Sequence, residues 1–486
     1  MNEIFTLKAG ACISDVLTGV AWEFDEIRLQ VAKRACFLKE FGIKRGQNVL
    51  ISHGGTPFFL ADLFAVWQVG GCATCLNPGL TAGEQKNVES FLKPEMILAG
   101  PGSDTDHTYF SRPVADLTTC SPGAEIALGE SQLQQHDLAL ILFTSGTTGK
   151  PKGVVHTKKS IAAKLEQNLK NIKTGMLDRT LGVLPTHFVS GLLGGILTTL
   201  SAGKKVFLFQ QPGIGGAARL GQVIDDYEIT FLNSAPSLWK VVLKVSNPPI
   251  KHSLRQISVC SAPLDKTTWE SIIKWTGTNN VFNMYGATET GGWDIGASSA
   301  DHDPETGLIG TVWNGEAAIL TSGGQRKSSG KGEIVLKSPS LMHGYFRRRN
   351  LTGEAIQDGW YRTGDLGHID DTGLVRFLGR CKSEINRAGN KVSPEEVDML
   401  LEQHKSVKEA CAFGLPDPVS GETIGCAVVL KEGCDEEVNA LRQWCAERIQ
   451  PACVPERWYF IKDIPKTAHG KVNREEVARI CLGKGD

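Results

Sequence analysis

Apolar residues recur at helical spacing from Asp25 to Phe41 and then run together from Asn48 to Ser52, which predicts an amphipathic helix followed by a buried strand. The pair repeats as a helix over Phe58 to Val69 and a strand over Ala73 to Leu76. Further along, Leu138 to Phe143 reads as a buried strand, Ser160 to Asn171 as a helix, Thr180 to Leu184 as a strand, Gly191 to Leu200 as a helix of small residues and Lys205 to Leu208 as a strand. Helices alternating with short apolar strands are the pattern of a parallel sheet covered on its faces.

From about Gly307 to Leu378 the pattern changes to short β segments separated by Gly and Asp turns, among them Gly332 to Lys337 and Val375 to Leu378. This predicts a compact β subdomain. After Gly379 the chain turns charged, with a helix over Glu395 to Gln403 and strands near Val407 to Gly414 and Thr423 to Lys431. The expected class is α/β, with a large N-terminal domain, 1–381, of parallel-type α/β subdomains plus the β subdomain, and a small mobile α+β C-terminal domain, 382–486. A chain of 486 residues exceeds what one core usually serves, so two or more domains are expected.

Composition narrows the class further. A formal net charge of -1 gives no bulk attraction for nucleic acid or an anionic membrane. The start, MNEIFTLKAGACISDV, lacks the basic flank and apolar core of a secretory signal, and no apolar run is long enough to span a bilayer, so a cytoplasmic protein is expected. Thirteen scattered cysteines suit reduced thiols. Cys72 and Cys75 form a CxxC, but they lie in the apolar run VGGCATCLNP with no second pair or nearby histidine, and are read as small core residues.

Chemistry concentrates in LFTSGTTGKPKGV, Leu142 to Val154. Gly146, Gly149 and Gly153 let backbone N–H groups approach phosphate oxygens, Thr144, Ser145, Thr147 and Thr148 add hydroxyl donors, and Lys150 and Lys152 add positive charge. Composition alone also fits a mobile linker. The spacing is not that of P-loop NTPases, because Pro151 follows Lys150.

The loop resembles the signature of the adenylate-forming superfamily: acyl- and aryl-CoA synthetases, peptide-synthetase adenylation domains and beetle luciferases. Further segments resemble the family's motifs in the same order. They are CLNPGLTAGE at Cys75 to Glu84, SAPL at Ser261 to Leu264, NMYGATETGG at Asn283 to Gly292, YRTGD at Tyr361 to Asp365, GRCKSEINRAGNKVSPEEVD at Gly379 to Asp398 and PKTAHGKVNR at Pro465 to Arg474.

The resemblance implies an ATP-dependent ligase that turns a carboxylic acid into an acyl-AMP and passes it to a thiol. By that resemblance Thr144, Ser145, Gly146, Thr147, Thr148 and Lys152 hold the phosphates, and Glu289 with Thr148 coordinates Mg2+. Tyr285 stacks on the adenine, Asn283 and Ser261 hydrogen-bond its edge, Gly286, Ala287 and Thr288 also bind ATP or AMP, and Asp365 with Arg380 holds the ribose. Lys471 is the implied catalytic lysine, Lys382 the hinge of the mobile domain, and Gly389 the residue beside which the thiol arm enters. Coenzyme A is the expected thiol, with the phosphopantetheine of a carrier protein in trans as the alternative. Since the chain ends soon after Lys471, no fused carrier is expected.

The segment LPTHFVSGL departs from the family's order, placing His187 before Phe188. These two, with Gly286, Gly291 and Gly292, are the candidate acid pocket, and Trp293 is a candidate wall. No Asp lies between Pro185 and Leu200 to pair with an α-ammonium, so an acid without an α-amino group is expected. Small pocket residues fit an aryl or a medium-length acyl acid. A non-catalytic adenylate-binding protein is the reading from a different class. Lys471, Glu289, Asp365 and Arg380 argue against it, because a binder has no need of the transition-state lysine.

Overall fold

The computed structural model describes residues 8–102, 110–119, 131–144, 152–211, 213–313, 315–383, 385–387, 390–417, 421–449, 451–467 and 472–483. Two compact units divide the chain. The first holds Met1–Pro304, Gly310–Glu316 and Leu336–Tyr361, and the second holds Glu305–Ile309, Ala317–Val335 and Arg362–Asp486.

The first unit contains two sheets. One runs in the order Gly344–Tyr345, Lys152–Thr157, Leu138–Thr144, Cys72–Cys75, Asn48–Ile51, Met96–Ala99 and Val114–Asp116. From Leu138–Thr144 to Val114–Asp116 every neighbouring pair is parallel, whereas Lys152–Thr157 returns antiparallel, with Thr144 opposite Lys152. The described flanks of the phosphate-type segment are therefore two antiparallel strands paired up to Thr144 and Lys152.

The other sheet carries Gly292–Ser298, Val281–Ala287, Gln256–Val259, Phe231–Ser234, Arg179–Gly182, Lys205–Leu208, Cys12–Asp15 and Ala21–Glu23 in that order. Its centre is parallel, and it turns antiparallel where Gly292–Ser298 folds back on Val281–Ala287.

The helices begin where local chemistry dictates. Phe24–Phe41 has Asp25 and Glu26 in its first turn and stops at Gly42, whose φ of 100° closes the last carbonyls. Thr81 and Glu84 form a reciprocal capping box on Ala82–Leu92, so part of the CLNPGLTAGE motif serves as a helix start. Thr157 and Ser160 cap Lys158–Asn171 in the same way.

The predicted small-residue helix differs in kind. Ser190–Leu197 is a π-helix, followed by a single α-turn, Thr198–Ser201. Wider π winding is uncommon and is found where a helix is shaped around a functional site.

Cys72 and Cys75 are buried, and in a strand residues three apart face opposite sides. They join separate apolar clusters accordingly, Cys72 with Leu50 and Ile141, Cys75 with Ile51 and Leu142. Burial pushes the Cys72 thiol up to about 12.

In the second unit Val407–Asp417 pairs antiparallel with Gly421–Leu430, and Arg457–Phe460 adds to it in parallel. The helices Pro394–Leu401 and Val438–Ala446 bury Val397, Leu401, Leu441 and Cys445 in one core with Ile424, Cys426 and Val428 from this sheet.

Candidate active site

Glu289 sits in a single helical turn, Thr288–Thr290, after the strand Val281–Ala287. Its carboxylate is almost fully buried, with 8% of the side chain exposed, and Lys152 Nζ approaches Oε1 to 3.2 Å. Tyr345 donates its phenol hydrogen to the same oxygen at 2.7 Å, and the Lys152 ammonium lies 4.1 Å from the Tyr345 ring centroid. Burial first, then the Glu289 charge, hold the Tyr345 phenol far above its ordinary pKa, so it stays a donor. Met342 N–H donates to the Glu289 carbonyl at 2.7 Å, which fixes the turn against the segment that carries Tyr345.

His156 supports the same turn from below. It is wholly buried, and Nε2 meets the Thr288 carbonyl at 2.8 Å, a contact that requires the proton on Nε2. Burial lowers its pKa to about 4, so the ring is neutral at pH 7.

The glycines after Glu289 have separate causes. A Cβ on Gly286 would run into the Gly292 carbonyl oxygen, so the close crossing of the two strands demands glycine there. Gly291 has φ 83° and lies against the aliphatic part of Lys164, while Gly292 has φ 114°.

Lys164 itself is fully buried, and its ammonium donates to the Trp293 carbonyl at 2.7 Å and to Asp294 Oδ1 at 3.0 Å. Asp294 Oδ2 accepts from the Thr290 hydroxyl, and Gln167 Nε2 donates to the Trp293 carbonyl at 3.1 Å. Burial lowers the Lys164 pKa and raises that of Asp294, while each charge offsets the cost for the other.

A cavity of about 90 Å³ lies beside this turn. Val189 and Ser190 from the π-helix region, Cys260 and Ser261 from the SAPL segment, and Met284 and Trp293 from the strand pair line it, with Gly286, Ala287, Thr288 and Gly292. Of the predicted acid-pocket set, Gly286 and Gly292 reach this cavity, and so do Ser261, Ala287 and Thr288 of the predicted nucleotide-binding set.

His187 and Phe188 pack edge to face on each other, with ring centroids 4.6 Å apart, and Val189 and Ser190 line the cavity in their stead. Ser261 adopts φ 76°, a left-handed conformation that a serine holds only at a cost of about 1–3 kcal/mol, and its hydroxyl lies 3.3 Å from that of Ser190. Asn283 is buried and Tyr285 half-buried on the strand that leads to Glu289.

In the second unit, Asp365 on Trp360–Ile369 stands directly opposite Arg380 on Val375–Arg380, and Arg380 Nη1 donates to Asp365 Oδ1. Glu333 shapes this segment. Its carboxylate takes two donors from Arg362, at 2.6 and 3.1 Å, and the Gly364 N–H at 3.0 Å. Gly364 has φ 69°, so the bend before Asp365 also needs glycine.

Arg474 anchors the helix Arg474–Leu482 through Asp398 at 2.6 Å, Glu395 at 3.1 Å and the Ala412 carbonyl at 2.8 Å. A β-bridge pairs Lys466 with Val472, which flank Lys471 in sequence.

Ser145, Gly146, Thr147, Thr148, Gly389 and Lys471 lie outside the described residues, as do the side chains of Thr144 and Lys382. Tyr345, His156, Lys164, Asp294, Glu333 and Arg474 were not singled out in the sequence. Each acts through a contact made across a long sequence separation, and although Arg474 ends the PKTAHGKVNR segment, nothing local shows that contact.

Residues 9–346 match the family model described as AMP-binding enzyme, and residues 396–471 match the AMP-binding enzyme C-terminal domain. The chain is 31% identical to the oxalate–CoA ligase of Arabidopsis thaliana, over 92% of this chain and 91% of that protein. It is also 31% identical to the long-chain-fatty-acid–CoA ligase of Bacillus subtilis strain 168, over 71% and 62%. Its fold is similar to that of the O-succinylbenzoate coenzyme A synthetase of Bacillus subtilis in complex with ATP and magnesium ion, with a TM-score of 0.86, 24% identity and coverage of 98% and 99%. With both family models matched in order, and a near full-length relative above 30% identity, the chain belongs to the AMP-binding enzymes, the adenylate-forming superfamily.

Proposed function

We propose that this protein is an AMP-forming acid–thiol ligase that activates a carboxylic acid with ATP and transfers the acyl group to coenzyme A. The observation that carries this reading is the meeting of Lys152 and Glu289, 137 residues apart in sequence, at 3.2 Å beside a cavity. A phosphate-type lysine and a buried carboxylate brought together suit a polyphosphate and a hard divalent cation.

The donor set fits Mg2+. Glu289 offers oxygen only, and among the described residues no group of three or more His, Cys, Asp or Glu gathers to hold a metal without help. A cation held chiefly by phosphates and water, with Glu289 and Thr148 as protein ligands, matches that arrangement. When bound, it would neutralise charge on the phosphates.

In the first half-reaction the substrate carboxylate oxygen bonds to the α-phosphorus, and the bond to pyrophosphate breaks. Lys471 contributes its ammonium to the carboxylate and the α-phosphate, where charge accumulates. Lys152 and the hydroxyl loop hold the phosphates, Tyr285 stacks on the adenine, and Asp365 accepts the ribose hydroxyls. In the second half-reaction the thiol sulfur bonds to the acyl carbon, AMP leaves, and the thiol proton is released. The small domain, turning about Lys382, would present Gly389 to the thiol arm.

Relatives equally identical to this chain are named for acids as different as oxalate and a long-chain fatty acid, so likeness alone does not choose the acid. The sequence favours an aryl or medium-length acyl acid, and a cavity of about 90 Å³ favours the smaller members. Acid-dependent ATP–pyrophosphate exchange without thiol tests the activation step. Subsequent addition of coenzyme A, or of a pantetheinylated carrier protein, tests the acceptor. Exchange with no acid across aryl, acyl, dicarboxylic and amino acids overturns the reading, and acyl transfer to the carrier alone overturns coenzyme A.

A further inference from the structure

Trp293 closes the cavity from the side of the strand Gly292–Ser298. It is only 2% exposed, yet its indole N–H makes no formed hydrogen bond within the protein. Its interaction with the Cys260 thiol falls short of one. A buried indole N–H normally has a partner, and leaving one unmet costs free energy that a native fold rarely tolerates without a reason.

The ring is not free to turn and find one. Lys164 and Gln167 clamp the Trp293 carbonyl from behind, and a Cβ on Gly194 of the π-helix would sit 2.7 Å from the indole Cζ2. The glycine of the small-residue helix is thus the space the indole occupies.

Beside this N–H the cavity presents the hydroxyls of Ser190 and Ser261, 3.3 Å apart. Asn233 holds Ser190 in place by donating to its carbonyl at 2.6 Å. None of the described residues lining the cavity carries a charge, and the nearby Lys164 charge is already matched by Asp294. A second carboxylate at the far end of a substrate would be buried without a cation, which is costly, whereas a neutral acceptor would meet the unmet indole N–H beside two serine hydroxyls, of which that of Ser261 already donates to the Cys260 sulfur. Size sets the other limit. At roughly 12–30 Å³ per water-sized group, a cavity of about 90 Å³ takes about three to seven non-hydrogen atoms of the acid's distal part.

We infer that the acid activated by this protein is short and carries an uncharged hydrogen-bond acceptor, a carbonyl or hydroxyl oxygen, near its distal end, and that the Trp293 indole N–H is the specificity-determining donor to that oxygen. This rests on the proposal that the protein activates an acid at this site.

The test uses the full chain with ATP and Mg2+ and follows acid-dependent pyrophosphate exchange with 4-oxopentanoate, its isostere 4-methylpentanoate, octanoate and 4-coumarate. Wild type is expected to prefer 4-oxopentanoate over 4-methylpentanoate about tenfold or more in kcat/KM, and to turn over octanoate and 4-coumarate poorly. Trp293→Phe keeps an aromatic ring but removes the donor, so kcat/KM should fall more with 4-oxopentanoate than with 4-methylpentanoate and the ratio should move toward one. A merely structural role would lower both acids together. Should Trp293→Phe fold poorly, Ser190→Ala serves as the second variant, with the same ratio expected to fall. Equal use of the two isosteres, better use of octanoate or 4-coumarate, or a ratio untouched by both variants overturns the inference and leaves acid activation standing. Exchange with none of the four, nor with any acid of a broader panel, overturns acid activation and this inference with it.

Discussion

The Lys164 ammonium lies 2.7 Å from the Trp293 carbonyl oxygen and 3.0 Å from Asp294 Oδ1, with both side chains buried. One helix, placed directly after the two strands that flank the phosphate-type segment, thereby fixes the segment that follows Glu289. The cation orients a backbone as well as balancing a charge.

Removing that cation leaves Asp294 charged, buried and unpaired. Lys164→Met should cost on the order of 3–5 kcal/mol in stability, measured by denaturant unfolding. Lys164→Met combined with Asp294→Asn should recover a good part of that loss, since no net charge is then stranded. Equal loss in the single and double variants would mean that the packing of the lysine stem, rather than the charge, is what matters.

Tyr345 is expected to tune Glu289. Tyr345→Phe deletes the hydrogen bond to Oε1 and should lower kcat/KM for ATP by about tenfold, with a shifted Mg2+ titration. Glu289→Gln should reduce exchange by about a hundredfold or more. A Mg2+ titration that Tyr345→Phe leaves unchanged would count against its role at the carboxylate.

His156 gives a signed pH effect. Its folded pKa, lowered to about 4 by burial, lies below the ordinary value near 6.5, so the unfolded chain binds more protons between those limits. This contribution to stability is present above about pH 6.5 and is lost as pH falls toward 4, at up to about 1.4 kcal/mol per unit. Burial pushes the Asp398 carboxyl up to about 6, an effect of opposite sign over part of that range. The informative quantity is therefore the difference between wild type and His156→Gln, whose unfolding free energies should converge as the solution is acidified from pH 7 to pH 5. A constant gap would show that the imidazole does not titrate in this window.

The two half-reactions should separate genetically. Lys471→Ala is expected to abolish adenylate formation while sparing thioester formation from a preformed acyl-AMP. Gly389→Leu is expected to do the reverse. Parallel assays of exchange and of thioester yield distinguish these patterns, and equal loss of both steps in Lys471→Ala would remove it from its assigned place.

Much of the scaffold was legible because its signals are local. The strand at Leu138 and the helix after Thr157 announce themselves through apolar period and capping residues that lie within a few positions of each other. The glycine positions were legible as glycine and not as to cause. Gly286 and Gly291 look alike in the motif, yet one avoids a carbonyl across a hairpin and the other turns through φ 83° against Lys164. The His187-Phe188 pair drew attention by its order, while the neighbouring Val189 and Ser190 reach the cavity, because a helix start sets direction in steps that spacing alone does not reveal.

By itself the sequence determined the superfamily, the alternation of helices and strands, and which short segments bear phosphate, carboxylate and lysine chemistry, since each is written in contiguous residues. Tertiary structure alone decided that Tyr345 and Lys152 share one oxygen of Glu289, that Glu333 bends the chain before Asp365, and that Trp293 ends the cavity with an unmet donor. Those relations join positions from about 30 to nearly 200 residues apart, or depend on the space left by a distant glycine. They come into being only when sheet register and helix packing bring the partners within reach.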